Sequence, residues 1–263
     1  MSRRLVGTID LADLDALCQL RGAEFLPYPL LRDGVPVETG AGAPSVAARF
    51  DGGELQVFRD WIETHEHADV WVECRVLYRD DDTPDTRLSA CRSAGLGFLA
   101  AQRPGQDLVD VFELSPPDIA AAIAQGVRPS GPGSRPQVVI PKYVNYFRGS
   151  AAESAGFDDF DDFDDDYEVT IRADRPAVEQ ATVVRDTDVL ALATIQPHCE
   201  PARAWGVDWA KDFLVWVQLD ADGDYIYDAE FQHAVPATYE TLRSRIDRLV
   251  EADLAESRRR GTR

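Results

Sequence analysis

The sequence predicts an α+β protein in which each half of the chain is a set of short strands followed by a closing helix. Residues 70–79 alternate strictly between apolar side chains and a second set that mixes charged and large apolar side chains. This alternation is typical of a strand in a sheet. Short apolar runs separated by turn residues follow in both halves. An amphipathic helix is predicted from about Pro236 onwards. These patterns indicate a sheet-centred chain.

The N-terminal segment predicts a short helix and an irregular loop. Asp10 is a good N-cap, and the leucines after it have helical spacing up to Gly22, where the helix is expected to end. Two prolines exclude a helix over residues 24–30, which we expect to form an ordered, partly buried loop. Apolar residues at helical spacing then predict a second amphipathic helix over residues 54–65.

The strand over residues 70–79 has two different faces. One face is apolar, whereas the other mixes charged and large apolar side chains: Trp71, Glu73, Arg75, Leu77 and Arg79. Turn residues separate the next three apolar runs, and this spacing is typical of an antiparallel meander. We therefore predict strands over residues 87–93, 96–103 and 106–114.

A helix closes the first half, and a segment rich in helix breakers follows it. Residues 115–118, Ser-Pro-Pro-Asp, form a capping box before an apolar run that ends near Gly126. Gly and Pro dominate the next segment, which we interpret as a connection between two halves. The expected boundaries are about 1–126 for the N-terminal half, about 127–136 for the linker, about 137–257 for the C-terminal half and 258–263 for a basic tail. From composition alone, one large domain and two intimate halves both remain open.

The second half repeats the sheet pattern. Strands are predicted over residues 167–173, 203–209, 213–219 and 224–231, after a short apolar segment at 138–140. The Asp-Gly pair at Asp222 and Gly223 is a strong hairpin signal between the last two strands.

Composition and charge limit the classes of partner. The formal net charge of −20 repels phosphate backbones and anionic lipids, so neither nucleic acid nor a membrane surface is an expected partner. No apolar run is long enough for a membrane span or a signal peptide, which predicts a cytoplasmic protein. The four cysteines are scattered and are expected to be reduced.

Three motifs with catalytic or metal-binding residue types carry little functional signal. His65-Glu-His67 lacks the spacing of a zinc site, and adjacent residues on a strand, such as His198 and Cys199, point to opposite faces. The acidic residues at 220, 222 and 224 fit a turn better than a calcium loop. We therefore expect no catalytic residue, no metal and no cofactor.

A Phe/Asp-rich run at residues 157–166 is predicted to be a solvated acidic loop. Weak calcium binding, mimicry of nucleic acid and docking on a basic surface remain open for it.

Two pairs of large apolar residues are candidates for an exposed sheet face. Trp71 and Leu77 lie opposite the apolar side of their strand, and Leu214 and Trp216 lie opposite the apolar side of theirs. Either helices cover both faces of the sheet, or one face is available to a partner.

The order of several segments resembles the EspG family over nearly the whole chain, most closely in the N-terminal half. The segments are Leu26-Pro-Tyr-Pro-Leu30, Asp69-Val-Trp-Val-Glu-Cys-Arg-Val, Arg87-Leu-Ser-Ala-Cys-Arg, Gly97-Phe-Leu-Ala-Ala-Gln102, Val109-Asp-Val-Phe-Glu-Leu114 and the Ser-Pro-Pro-Asp helix start. The resemblance implies one α+β domain over residues 1–263, with quasi-two-fold halves around a central antiparallel β-sheet flanked by helical layers.

The resemblance also implies a function. The family binds the helical tip of PPE proteins in PE–PPE heterodimers, masks their self-associating surface and supports type VII (ESX) secretion, without being an enzyme. By position, the loop at residues 80–85 matches the loop that touches the substrate in the family. The implied partner-binding residues are Trp71, Glu73, Arg75, Leu77, Asp80, Asp81, Asp82, Asp85, Leu214 and Trp216.

An alternative rests on charge alone. An acidic immunity-type or regulatory protein that neutralises a basic partner would have the same composition. Such a complex should weaken steeply with salt, whereas a chaperone held by apolar contacts should persist. The sequence leaves the oligomeric state open.

Overall fold

Among the described residues of the computed structural model, which are 3–32, 44–93, 95–144, 181–202 and 204–261, one sheet organises the fold. Its order is β1-β5-β4-β3-β2-β8-β9-β10-β11-β6-β7. The strands are β1 (Arg3–Asp10), β2 (Val70–Tyr78), β3 (Thr86–Arg92), β4 (Gly97–Gln102), β5 (Leu108–Leu114), β6 (Val138–Val139), β7 (Thr182–Val183), β8 (Val189–His198), β9 (Leu214–Leu219), β10 (Gly223–Tyr227) and β11 (Ala234–Pro236). All neighbouring pairs are antiparallel except β6 and β7.

Helices α1 (Leu11–Leu20), α2 (Val46–Gly52), α3 (Arg59–Glu66), α4 (Ile119–Val127) and α5 (Tyr239–Gly261) accompany the sheet, and residues 141–144 are also helical. Short 3-10 turns precede α3 and α4 and a third precedes β8, at Glu54–Phe58, Pro116–Asp118 and Asp186–Asp188.

The sheet order is symmetric about its central antiparallel pair, β2 and β8, in which Glu73 lies opposite Gln196. On one side, β2 to β5 run outward and are followed by α4. On the other side, β8 to β11 run outward and are followed by α5. The two closing helices touch, and the Tyr239 hydroxyl donates to the Ala121 carbonyl across 3.2 Å. The predicted α+β fold with quasi-two-fold halves around a central antiparallel sheet is confirmed.

Helices α4 and α5 bury one face of the sheet. Their apolar residues pack on Val72 and Cys74 of β2, Ile195 of β8 and Trp216 of β9, all at most 1% exposed. Small residues in α4 allow this close approach, since a Cβ added to Gly126 would lie 2.2 Å from a methyl carbon of Leu88.

The other face is covered by two separate groups. Over the N-terminal half, α1, α2 and α3 pack on Trp71, Cys91 and Phe98. Over the C-terminal half, residues of β6, the loop after β8 and the Pro-rich loop carrying Tyr28 pack on Val215 and neighbouring side chains. Both faces of the central strands are therefore buried, although over the C-terminal half β6 and two loops cover one face in place of the expected helices.

Most N-terminal predictions hold. Asp10 caps α1 by accepting from the Ala12 amide across 2.8 Å, and Gly22 has a φ of +82° just after the helix. The helix predicted over residues 54–65 is instead a 3-10 turn followed by α3. Strand β1 and helix α2 were not predicted; β1 is an edge strand whose exposed face carries no regular apolar pattern.

The C-terminal predictions hold less well. Residues 204–210 form turns, so the strand predicted over 203–209 is wrong, and the strand predicted over 167–173 lies outside the described residues. The central strand β8 was missed because both of its faces are buried, and such strands do not show polar alternation. The predicted hairpin between β9 and β10 is present, with β10 ending at Tyr227. Arg258, Arg259 and Arg260 form the last turn of α5.

Candidate partner-binding surface

The connection between β2 and β3 forms a compact acidic turn at one end of the central strands. The Asp80 carboxylate accepts from the Asp82 amide at 3.2 Å and from the Thr83 hydroxyl at 3.0 Å, so it holds the turn from within. Asp81 and Asp82 are exposed at its tip. Self-pairing of this kind fixes the backbone while two carboxylates remain directed to solvent.

Two arginines anchor the end of this turn. Oδ2 of Asp85 accepts from Nε of Arg75 on β2 and from Nη2 of Arg87 on β3, each across 2.9 Å. Arg87 also donates to the Pro29 carbonyl at 3.0 Å, which links the turn to the buried Pro-rich loop. Both arginines are less than 10% exposed. The acidic turn is thus attached to the core through one shared carboxylate.

A cavity of about 630 Å³ opens beside the acidic turn, and we call it the loop cavity. Its walls combine both charges with apolar surface: Leu77, Arg79, Asp80, Asp81, Lys142 and Asp186. Lys142 pairs with Asp186 across 3.0 Å, and Arg79 donates to the Thr187 carbonyl. The 3-10 turn before β8 therefore lines the loop cavity together with the acidic turn.

The structure divides the predicted partner-binding residues between several environments. Leu77, Asp80, Asp81, Asp82 and Asp85 lie in or beside the acidic turn and the loop cavity. Trp71, Glu73 and Arg75 follow on the same face of β2, and each is at most 9% exposed.

Leu214 and Trp216 lie on the opposite face of the sheet, beneath α4 and α5. The alternative of an exposed face is wrong for Trp71, Leu214 and Trp216, because α1, α2 and α3 pack over Trp71 while α4 and α5 cover the other two. Trp216 is 1% exposed and Leu214 is 8% exposed. A contact with a partner remains a prediction for every residue of the set.

A second cavity, of about 650 Å³, lies between helices α1 and α3 and the other end of the central strands. We call it the α1–α3 cavity. Glu73 of β2 and His198 of β8 line it, with Nε2 of His198 3.1 Å from Oε1 of Glu73. Burial raises the pKa of the Glu73 carboxyl, and the neighbouring histidine opposes this shift.

The indole of Trp71 separates His198 from His65 at the wall of the α1–α3 cavity. Its ring centroid is 6.0 Å from that of His198 and 6.1 Å from that of His65, and its Nε1 donates to the His65 carbonyl at 3.0 Å. Burial, with a smaller contribution from His198, lowers the pKa of His65 to about 4. His65, which is partly buried, is therefore neutral at pH 7. His67 is exposed.

The other reactive residue types serve the fold. His198 faces the α1–α3 cavity, whereas Cys199 packs on the opposite side of the sheet, where burial raises its pKa to about 12. Across the described residues, no group of three His, Cys, Asp or Glu side chains is arranged to hold a metal ion. The Phe/Asp-rich run at 157–166 lies outside the part of the chain that the structure describes.

The acidic residues of the β9–β10 hairpin hold the Gly/Pro-rich segment in place. Asp224 is fully buried and accepts from the Gly131 amide at 2.8 Å and from the Ser130 hydroxyl at 3.1 Å. Asp222 accepts from the Ser134 amide and the Tyr225 hydroxyl. These contacts give both aspartates a structural role, in addition to the turn that the sequence predicted.

Sequence reasoning missed several residues of this surface. Arg87 was assigned only to a strand, and Lys142 and Asp186 received no role. The Arg87–Pro29 and Lys142–Asp186 contacts join residues far apart in the chain, for which the sequence carries no local pattern. The Pro-rich loop under Arg87 was the one available signal, because buried carbonyls in such loops require donors.

The fold and this surface define a class: a quasi-two-fold α+β protein built on one central sheet, with an acidic turn and a mixed cavity at one end of its central strands. The model of the EspG family matches residues 10–202, and the chain belongs to this family.

A solved structure is similar over nearly the whole chain. It is the structure of the Mycobacterium tuberculosis type VII secretion system chaperone EspG5 in complex with a PE25–PPE41 dimer. The TM-score is 0.52 at 14% sequence identity, and the match covers 95% of this chain and 96% of the other. This similarity supports the fold. No curated protein matches the sequence. No helix within the described ranges has the length and apolar character needed to cross a bilayer.

Proposed function

We propose that this protein is a cytosolic secretion chaperone that binds the helical tip of a PPE protein in a PE–PPE heterodimer. By covering the tip, it masks a self-associating surface and keeps the pair competent for type VII (ESX) secretion. The observation that carries the proposal is membership of the EspG family over residues 10–202. The similar fold of EspG5, solved with a PE25–PPE41 dimer, supports the same partner class.

The acidic turn and the loop cavity are the part of the surface that we assign to the partner. They combine exposed carboxylates at Asp81 and Asp82 with the partly buried Leu77, and a protein interface needs this mixture of rim charge and apolar centre. The Arg75–Asp85–Arg87 network holds the turn before binding, which reduces the ordering that association must impose.

Charge gives this surface a second role in association. The net charge of −20 and the carboxylates at the tip of the turn attract a partner whose contacting face is basic. Such steering acts mainly on the rate of association, whereas apolar contacts in the cavity determine how long the complex lasts.

The buried members of the predicted set have a supporting role in this proposal. Trp71, Glu73 and Arg75 hold the central strand on which the acidic turn is mounted, and Leu214 and Trp216 pack the opposite face. We assign no catalytic activity to the protein. We further propose that residues 1–263 act as one domain, with the halves joined at about residues 127–136.

Co-expression tests the proposal. PE–PPE pairs from the same genome are expressed with and without this protein, and soluble PPE is quantified after affinity capture of the chaperone. We expect at least one pair to become soluble and to co-purify at both low and high salt. Capture of a basic protein that is released by salt, with no PE–PPE pair retained, would favour the acidic immunity-type alternative.

A further inference from the structure

The Pro-rich loop is held by side chains from both halves of the chain. Within the loop, Tyr28 is 2% exposed and Leu30 is fully buried. From the N-terminal half, Gln102 of β4 accepts from the Leu31 amide at 3.0 Å and donates to the Leu31 carbonyl at 2.8 Å. From the C-terminal half, Nε1 of Trp205 donates to the Leu30 carbonyl at 3.3 Å. The loop therefore joins two segments that are far apart in the chain.

Packing and backbone conformation both fix the orientation of Trp205, which lies in the loop after β8. Its ring centroid is 5.0 Å from that of Tyr28, and the two ring planes meet at 82°, an edge-to-face arrangement. Gly206 follows directly with a φ of +127°, a conformation that residues with a side chain rarely adopt. Because an indole N–H only donates, this orientation determines which carbonyl it holds.

A second carbonyl of the same loop leads to the acidic turn. The Pro29 carbonyl, one residue before that of Leu30, accepts from Nη1 of Arg87 at 3.0 Å. Nη2 of the same guanidinium donates to Oδ2 of Asp85 at 2.9 Å. The guanidinium is planar and Arg87 is 7% exposed, so its two ends move together. A displacement of the Pro29 carbonyl therefore reaches Asp85, the residue that anchors the turn.

We propose that Trp205 is a positioning residue for the acidic turn. Acting through the Pro-rich loop and Arg87, it holds the Asp85 carboxylate in place from the other half of the chain. Leu30, between the two bonded carbonyls, is fully buried, so close packing leaves the loop little freedom to absorb a shift. The coupling does not depend on the chaperone function. Its consequence, a turn that is presented to the partner in one position, rests on the proposed function.

A double-mutant cycle in the full chain, without any partner, measures the coupling by urea denaturation. Trp205→Phe removes the N–H donor and keeps a ring beside Tyr28, and Gln102 still holds the loop, so this variant is expected to fold. Asp85→Asn weakens the attachment of Arg87 to the turn. The factor by which Trp205→Phe raises the unfolding equilibrium constant should be at least about three times smaller in the Asp85→Asn background. Equal factors in the two backgrounds would overturn the proposal.

Asp224→Asn provides the matched control cycle. Its carboxylate is also buried, but it holds Ser130 and Gly131 of the Gly/Pro-rich segment. The effects of Trp205→Phe and Asp224→Asn on the unfolding equilibrium constant should therefore multiply to within about two-fold. Coupling of the same size in both cycles would contradict the route through Arg87.

Single variants decide the question if a double variant does not fold. The indole N–H signal of Trp205 is followed by NMR in the isotopically labelled full chain and is identified by its loss in Trp205→Phe. Asp85→Asn should shift this signal, because a loosened Arg87 lets the carbonyls of the Pro-rich loop move. Asp224→Asn should leave it in place. A signal that stays in place in both variants, or moves equally in both, would overturn the proposal.

Discussion

The side chains of Arg75 and Asp85 meet across 2.9 Å and fasten the acidic turn to the middle of the central sheet. Arg75 lies on β2, whereas Asp85 immediately precedes β3, so one buried contact determines where the exposed carboxylates of the turn are held. Arg87 shares the same oxygen of Asp85 and extends the network to the Pro29 carbonyl. The position of the proposed partner surface therefore depends on residues that a partner does not have to touch.

Replacing Asp85 should destabilise the fold. In the Asp85→Asn variant, two largely buried guanidinium groups lose the carboxylate that they share. We expect a loss of about 2–3 kcal/mol in the free energy of unfolding, measured by urea denaturation. Asp82→Asn, at the exposed tip of the same turn, is the matched control and should change stability by less than about 0.5 kcal/mol. Equal stability of the two variants would show that the network does not anchor the turn.

Replacing Asp224 should loosen the Gly/Pro-rich segment. Its buried carboxylate accepts from Ser130, Gly131 and Gln218, and an amide group in its place would direct N–H groups toward donors. We expect Asp224→Asn to cost about 1–3 kcal/mol and to increase amide hydrogen exchange at Gly131. The control is Asp220→Asn, whose side chain is 60% exposed and 3.8 Å from Arg79; its cost should be below about 1 kcal/mol. Unchanged protection of the Gly131 amide would contradict the assigned role.

The buried histidine should make stability depend on pH. The pKa of His65 is lowered from 6.5 to about 4, so between these values the unfolded chain binds a proton that the folded chain does not. The contribution of the neutral His65 to the free energy of unfolding is fully present above pH 6.5 and is lost as pH falls toward 4. This loss is at most about 3 kcal/mol, and it is smaller where water reaches the ring. His198, Glu73 and Glu66 line the same cavity and are unchanged in every variant compared.

The slope of stability against pH measures this effect. His65→Gln should flatten the curve between pH 6.5 and 4 relative to the unmodified protein, as followed by urea denaturation at several pH values. His67→Gln, at the exposed end of α3, is the matched histidine control. Parallel curves for all three proteins would mean that His65 is protonated normally in the folded state.

Charge reversal at the acidic turn should slow association with the partner. The double variant Asp81→Lys and Asp82→Lys removes exposed carboxylates and leaves the Arg75–Asp85–Arg87 network intact. We expect a several-fold lower association rate and a smaller change in dissociation rate, measured by surface plasmon resonance with a captured PE–PPE pair. The double variant Asp51→Lys and Glu63→Lys makes the same charge change on α2 and α3 as a control. Equal slowing by both would indicate a general charge effect without a contact at the turn.

Local patterns predicted much of the N-terminal half, and tertiary contacts decided the rest. Strict alternation located β2, and the Ser-Pro-Pro-Asp segment located the start of α4, because each depends on residues close in sequence. The capping box itself is wrong, since neither Ser115 nor Asp118 makes a side-chain capping hydrogen bond. The central strand β8 escaped detection since burial on both faces removes the polar alternation. The burial of Trp71 and Trp216 could not be predicted from the strand pattern either. Such a pattern distinguishes the two faces of a strand but does not show what covers each face.

Part of the site could be predicted in the same way. The acidic turn at residues 80–85 could be found from sequence and from family resemblance, and Arg87 lies only two residues from the Asp85 carboxylate that it holds. The Arg87–Pro29 and Lys142–Asp186 contacts could not be predicted, because they join segments that are far apart in the chain and exist only once the sheet has formed.

The mass of the complex formed with a PE–PPE pair tests the central claim most directly. The co-purified material is passed over a size-exclusion column with light-scattering detection. The account predicts one species whose mass is 29.1 kDa plus one PE and one PPE chain, stable at high salt. If every soluble pair elutes separately from this protein, with no mass above that of the components, the chaperone assignment is contradicted.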